Sequence, residues 1–369
     1  MKPLSAWNYY KNNKKKVLPI MISIAIGIFL LYFMYIIGNS VISTAEAGAL
    51  EALEHYTLFY SSEEKGIDEE SLNNIRQNEN VEKIIQVKTA NTYITFMGGS
   101  TYVPILFAGD SNIDELFNNM NLKLKEGRMA KEDKEIVIHW RIAANKGLKV
   151  GDNIGSDVND KEPLTGKYTV VGTFDGDSQL GFVPIENKAS KESRVWLVMP
   201  KENKVKEMNS FIYKIFDEKM EIESLTEMEK LFSNNMSIVY VGSIFIELLI
   251  VLVLCITIGN TTYLHFYQRK KEFGILIAVG YKKREILKRI FYEILNITVA
   301  AYIAGVLLAI LAGFILKVVY MDPKGSVMNL FNIKYLLFAA ILPIFVLIFS
   351  LLPSARIVVN TDKIRVIEG

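Results

Sequence analysis

The sequence predicts a membrane protein with four transmembrane α-helices and an α+β extracytoplasmic domain, held on a helical stalk between spans one and two. Three observations predict it. Four segments are apolar over the length of a bilayer core, charge is segregated along the chain, and a basic, partly apolar loop separates the second and third of those segments. The overall balance of +2 hides two opposite parts: residues 39–236 hold 23 basic and 33 acidic side chains, the remainder 19 basic and 7 acidic. Basic residues stay with cytoplasmic loops, whereas exported domains are not so constrained. The division therefore puts 39–236 outside a cell membrane, and both termini and the basic loop inside.

The first span, 17–38, opens with an uncharged, predominantly apolar run of 21 residues at 17–37, preceded by Lys11, Lys14, Lys15 and Lys16. At about 1.5 Å per residue such a run covers roughly 31 Å, the thickness of a hydrocarbon core. The competing reading is a cleaved signal peptide with Ala45-Glu46-Ala47 at the cleavage site, but the apolar region of a signal peptide is only about 7–15 residues. The second span is 237–267, the third 294–318 and the fourth 335–353. A cytoplasmic loop occupies 268–293, a short, weakly charged external loop 319–334, and a cytoplasmic tail 354–369.

Between the first two spans the pattern is α+β. Residues 40–58 lack proline and space Val41, Ala45, Leu50 and Leu53 helically, and Ser224 or Thr226 can cap a helix that runs into the second span. These two helices would form the stalk, with flexible juxtamembrane linkers as the alternative. Segments 81–88, 92–97, 101–107, 135–138, 168–174, 195–198 and 211–216 read as strands. Segments 68–78, 113–120 and 141–147 read as helices, the last closed by Gly147. Residues 149–152 read as a turn and 175–193 as a mobile loop. Cys255, the single cysteine, excludes an intramolecular disulfide, so the domain relies on its own core, for which about 200 residues suffice.

Chemistry is sparse. The chain has no G-x-x-x-x-G-K-[ST] phosphate loop, no H-E-x-x-H helix and no G-x-S-x-G elbow, and its three histidines are scattered. An enzyme is therefore not predicted, and neither a catalytic, a cofactor-binding nor a metal site. The basic clusters lack the aromatic interleaving of nucleic-acid surfaces. Within the third span, Ala301, Gly305, Ala309 and Gly313 recur every four residues on one helix face, which permits close backbone approach by an unspecified helix. Glu247 is the one acid well inside an apolar span. It reads either as part of an ion or substrate site, or as a protonated or hydrogen-bonded side chain at a subunit interface.

The loop is the most telling segment. Residues 269–293 hold eight basic and three acidic side chains, while 273–279 between the basic clusters is nearly all apolar. Such a segment either lies flat on a membrane surface or docks into a partner's groove. The run Arg269-Lys-Lys-Glu272-Phe-Gly274-Ile-Leu-Ile-Ala278-Val-Gly280, followed by Ile286, Leu287 and Glu293, resembles the cytoplasmic loop of FtsX-like ABC transporter permeases. The span order resembles the MacB-type branch of that family. Residues 6–14 resemble the interfacial helix with which such permeases begin, so 1–16 is assigned to it. Gly127-Arg128, Glu135-Ile136-Val137 and Gly147-Leu148-Lys149-Val150-Gly151-Asp152 resemble that branch's external core. Tyr281 departs from the small residue common in the family.

The resemblance implies a dimer, formed with a second copy or a paralogue, driven by separate ABC ATPase subunits that hold the ATP and Mg. It also implies an external domain moved by the stalk, that is, mechanotransmission, with an adaptor or external protein as a further partner beside the lipid bilayer. Glu272, Phe273, Gly274, Ile275, Leu276, Ala278, Val279 and Gly280 would form the ATPase-docking helix. In it Phe273, Ile275, Leu276 and Val279 give apolar contact, Glu272 meets a basic partner residue, and the two glycines allow close approach and a turn. The function so implied is export or extrusion of an antimicrobial peptide, drug or lipoprotein. The alternative is a cell-division-type regulator that activates an external cell-wall hydrolase without transport.

Overall fold

Long uncharged helices and short alternating strands separate cleanly along this chain. The computed structural model describes residues 13–61, 67–186, 194–216 and 220–359. The interfacial helix read at 1–16 falls largely outside the described residues, as do the end of the tail and positions 187–193 of the 175–193 loop. The described residues form two compact units. One comprises 13–38, 239–316 and 329–359, the other 39–238 and 317–328.

The first unit is helical. Its elements come from α1 (Lys14–Ala49), α6 (Leu225–Gln268), α7 (Lys270–Ala278), α8 (Lys283–Leu316), α9 (Ile333–Ala339) and α10 (Ile341–Val359). Four stretches are long and apolar enough to cross a membrane: Val17–Ala49, Ile244–Gln268, Lys283–Lys324 and Ile333–Val359. The fourth contains a break at Ala340, between α9 and α10. The first is the most covered, burying Ile24, Ile28, Tyr32 and Ile36, while leucines and isoleucines elsewhere on the four helices face outward as lipid-exposed residues do. Ser224 supplies the cap read from the sequence: its Oγ accepts from the Glu227 N–H at 3.3 Å.

The second unit is an α/β domain between the first and second spans. Its strands are β1 (Thr57–Ser61), β2 (Val81–Phe96), β3 (Gly99–Ala108), β4 (Lys123–Gly127), β5 (Glu135–His139), β6 (Asn153–Ile154), β7 (Tyr168–Asp175), β8 (Gly181–Pro184), β9 (Val195–Pro200) and β10 (Met220–Glu223). They pair in the order β10-β1-β9-β2-β3-β8-β5-β7-β4, with β6 added beside β7. The β3–β8 and β5–β7 pairs are parallel and the others antiparallel. Helices α2 (Glu69–Arg76), α3 (Asp110–Asn119), α4 (Trp140–Lys146) and α5 (Val205–Ile215) cover the sheet.

Several sequence expectations are corrected here. Segments 81–88 and 92–97 are one strand, β2, whose residues 81–87 pair with β9 and 88–96 with β3. The polar Asn91 that suggests a break sits at an exposed position within the ladder. Residues 211–215 of that segment belong to helix α5: Met208 and Ile212, four apart, are its buried stripe, and this periodicity overrides the β-propensity of Phe211 and Tyr213. The helix read over 40–58 ends at Ala49, and Thr57 already opens β1. Within the loop read at 175–193, residues 181–184 form β8, buried throughout.

The segment 317–328 is built into the domain rather than being a free external loop. Ser40 Oγ donates to Val327 O at 2.6 Å, and the Val327 N–H donates to Thr44 Oγ1 at 2.9 Å. Asn145 Nδ2 donates to Lys324 O at 2.8 Å. Gly325 has φ +62°, and a Cβ there would lie 2.4 Å from Arg141 O, so glycine is required twice over.

Candidate coupling site

The loop between the second and third spans is ordered by its own chemistry. After α6, Arg269 starts the short helix α7. Gly280 ends it with φ +107°, the Gly280 N–H donating to Ile277 O at 3.1 Å and the Tyr281 N–H to Leu276 O at 3.1 Å. That paired closure is a Schellman turn, which needs a residue at positive φ. Helix α8 then begins with the Lys282 N–H donating to Glu285 Oε2 at 3.1 Å, the backward half of a capping box.

From Phe273 onward α7 is apolar all round, so its sequence does not reveal which face turns inward. The structure divides it. Phe273, Gly274 and Ile277 are buried, and Phe273 and Ile277 pack with Phe266, Ile286, Ile290, Ile294, Ile357 and Val358. The Phe266 and Phe273 rings stack at 6.3 Å. Leu276 is half-buried against the same core. Ile275 (61% exposed), Ala278 and Val279 (73% exposed) face outward. Phe273 is thus no docking contact here: it anchors α7 to its own chain, and the outward apolar face is narrower than the sequence suggests.

Behind α7 lies a closed ring of four charges. Arg269 Nη1 meets Glu293 Oε2 at 2.7 Å and Arg269 Nε meets Glu272 Oε2 at 2.9 Å. Arg289 Nε meets Glu293 Oε1 at 2.9 Å and Arg289 Nη2 meets Glu272 Oε1 at 3.4 Å. Each arginine touches both glutamates, so the ring is neutral and satisfied. The Arg269 guanidinium also lies over the Phe266 and Phe273 rings, 5.5 and 5.2 Å from their centroids. Burial alone would lower the Arg269 pKa, but the Glu272 and Glu293 carboxylates outweigh it and raise it. Burial likewise opposes ionisation of Glu272, yet Arg269 and then Arg289 hold its carboxyl below the usual range. Glu272 therefore already has basic partners inside the chain. Arg269 and Glu272 have helical i, i+3 spacing, legible in sequence. Arg289 and Glu293 have i, i+4 spacing, also legible, but the closure between the two pairs is tertiary.

Comparison with known proteins identifies the family. The FtsX-like permease C-terminal family model matches residues 244–362, and the MacB-like periplasmic core domain model matches residues 19–211, more than half of the chain. The chain belongs to the FtsX-like permeases with a MacB-like core domain. No match was found among curated proteins. Among solved structures, the periplasmic region of MacB from Actinobacillus actinomycetemcomitans is 13% identical, covering 53% of this chain and 98% of that one with a TM-score of 0.27. The extracellular domain of the noncanonic ABC-type transporter YknZ from Gram-positive bacteria is 12% identical, covering 46% of this chain and 98% of that one with a TM-score of 0.25.

The permease's remaining candidate residues lie within the helical unit. Ala301, Gly305, Ala309 and Gly313 are all buried, and the two glycines approach α1. A Cβ at Gly305 would lie 2.6 Å from Ala25 O and 2.9 Å from Ile28 Cβ; at Gly313 it would lie 3.0 Å from Leu330 Cδ2 and 3.4 Å from Ile36 Cδ1. Glu247 is half-buried and hydrogen-bonded to the Tyr35 hydroxyl, and the Tyr35 ring stacks on Tyr335 at 5.4 Å. Its partner is thus a tyrosine of the same chain, 212 positions away in sequence, which no local pattern announces.

Proposed function

We propose that this permease is the membrane subunit of an ABC-type transporter, that α7 is its docking element for an ATPase on a partner subunit, and that ATP hydrolysis there moves the α/β domain. The observation that carries this reading is α7 itself: a nine-residue helix with an outward apolar face, locked from behind by the Arg269–Glu272–Arg289–Glu293 ring. A rigid brace lets a force on the exposed face pass into α6 and α8 instead of being lost in loop motion. The contact would be made by Ile275, Ala278 and Val279, with Lys270 and Lys271 beside them. Gly280 shapes the exit from the helix.

Charge supports the orientation. The 39–236 region is acidic and the rest of the chain basic, which supports a cytoplasmic side for both termini and the 268–293 loop; ATP and Mg would be bound by the partner. We assign the working assembly as a dimer, with a second copy or a paralogue. The cargo would be engaged outside the membrane, as an antimicrobial peptide, lipophilic drug or lipoprotein. The interior of the four-span unit supports this, since it is filled by apolar side chains and its mid-span acid Glu247 is tied to Tyr35. The MacB-like core match favours transport over hydrolase regulation.

The test is Ile275→Asp with Val279→Asp, two changes on the exposed face that leave the core intact. The variant should still insert and fold but lose ATPase co-purification and coupled hydrolysis. Buried apolar anchors at an interface are worth about 2 kcal/mol or more each, so the loss should be large. Normal ATPase binding by the folded double variant would remove α7 as the coupling element. Phe273→Asp is the wrong probe, because it would place a charge in the chain's own core.

A further inference from the structure

At the α7 end of the helical unit, a cleft of ≈ 690 Å³ opens between α6 and α10. Its mouth carries two cations, Lys270 and Arg356, both exposed, and neither has a carboxylate partner among the described residues. Tyr267 and Asn260 line the same cleft. Further along, the wall is apolar. Gly259 keeps it open: a Cβ there would sit 3.6 Å from Phe349 O, in van der Waals contact with the facing helix. The cleft thus grades from paired positive charge, through an aromatic hydroxyl, to hydrocarbon.

That gradient is the chemistry of one occupant. We propose that the α6–α10 cleft is a binding site for an anionic phospholipid drawn from the surrounding leaflet. The phosphate and anionic headgroup sit between Lys270 and Arg356, and an acyl chain lies along the groove at Gly259 and Phe349. Unpaired basic side chains at a membrane surface attract anionic headgroups, each contributing about fivefold in affinity. Tyrosine is favoured at the headgroup level, where its ring and hydroxyl face different media. A second copy of the chain would have to cover two cations, whereas a lipid phosphodiester sets a negative charge between them. Because Lys270 is the first residue of α7, the bound headgroup also braces the docking helix. The lipid site itself does not depend on α7 docking an ATPase.

The experiment uses the full chain reconstituted in nanodiscs of mixed phosphatidylglycerol and phosphatidylcholine, followed by native mass spectrometry of the lipids retained. The unmodified protein should retain phosphatidylglycerol in preference to phosphatidylcholine. Lys270→Gln with Arg356→Gln should reduce that preference about 25-fold, and each single change about fivefold. Lys282→Gln with Lys288→Gln, two exposed cations off the cleft, should leave it intact. Gly259→Leu, which fills the groove and keeps both cations, should also lower retention. Unchanged preference in the Lys270/Arg356 variant overturns the proposal. So does a change in oligomeric state without a change in retained lipid, which would mean that a second copy covers the cleft. ATPase co-purification, read in parallel through Ile275→Asp with Val279→Asp, fails or succeeds independently of lipid retention.

Discussion

Glu293→Gln is the sharpest perturbation of the charge ring. The Glu293 side chain is 2% exposed and binds Arg269 at 2.7 Å and Arg289 at 2.9 Å. Two unit charges about 4 Å apart attract by about 4 kcal/mol at an effective dielectric of 20. Glutamine keeps one acceptor oxygen but no charge, so the ring changes from neutral to a net positive charge in a site that water does not reach. Removing one partner of a buried ion pair costs about 3–5 kcal/mol. Glu272→Gln removes the same charge from the same ring, but its side chain is 38% exposed, so water compensates and the cost should be about 1 kcal/mol or less. The third variant, Arg269→Met with Glu293→Gln, restores neutrality and leaves the Arg289–Glu272 contact at 3.4 Å. It should recover much of the loss. The assay is heat-induced loss of monodisperse protein in detergent, with ATPase co-purification read on the fraction that stays folded. Stability should fall in the order unmodified, Glu272→Gln, the double variant, Glu293→Gln. If Glu293→Gln and Glu272→Gln are equally stable, or the double variant is worse than Glu293→Gln, the ring is not the brace described above.

Other outcomes can be checked as directly. Gly305→Ala sets a methyl 2.6 Å from the Ala25 backbone oxygen and should destabilise the helical unit by about 1–3 kcal/mol, whereas at Gly27 the added methyl meets side-chain ends, Leu254 Cδ1 at 2.7 Å and Leu342 Cδ2 at 3.3 Å, so Gly27→Ala should cost less in the same detergent assay. His139 is buried, and burial lowers its pKa from 6.5 to about 4, with Nδ1 accepting from the Arg141 N–H at 3.2 Å. The unfolded chain therefore binds this proton first, so the stability of the domain should fall as pH drops from about 6.5 towards about 4, and His139→Gln should flatten that slope in a denaturation series across pH. In a Cys255→Ser background, Lys161→Cys should react with an impermeant thiol reagent in intact cells and Lys282→Cys only after permeabilisation; the reverse pattern would invert the orientation.

What could be read from the sequence followed from local periodicity. Span-length apolar runs need no tertiary context, and neither does the four-residue recurrence of Ala301, Gly305, Ala309 and Gly313. Its partner, α1, is a different matter, because Ala25 and Ile28 carry no mark of the contact. Strands with clear β-branched content were legible, such as β5 and β7. Two that were not are β4, whose Lys123–Gly127 residues are exposed and mostly charged, and β8, whose short Gly-Phe-Val-Pro run is defined only by the neighbours that bury it. The candidate site divides the same way. The docking segment stood out by composition, but from Phe273 onward it is apolar on every side, so only its packing against Phe266 and Ile290 separates the anchor Phe273 from the outward Ile275 and Val279. The Arg269–Glu293 closure spans 24 positions and depends on how α8 returns past α7.

Strand β2 also bears on how the α/β domain can move. It serves two ladders in succession, and the residues flanking the change of partner do not belong to separate cores. Ile85 and Val87, from the part paired with β9, share one apolar cluster with Leu106, Phe174 and Phe182 from the other half of the sheet. Parting the halves would wet several fully buried side chains, each costing about 1.5–3 kcal/mol, an amount comparable to the whole stability of a typical domain. The sheet therefore behaves as a plate and not as a clam-shell: a load on one edge displaces all ten described strands together.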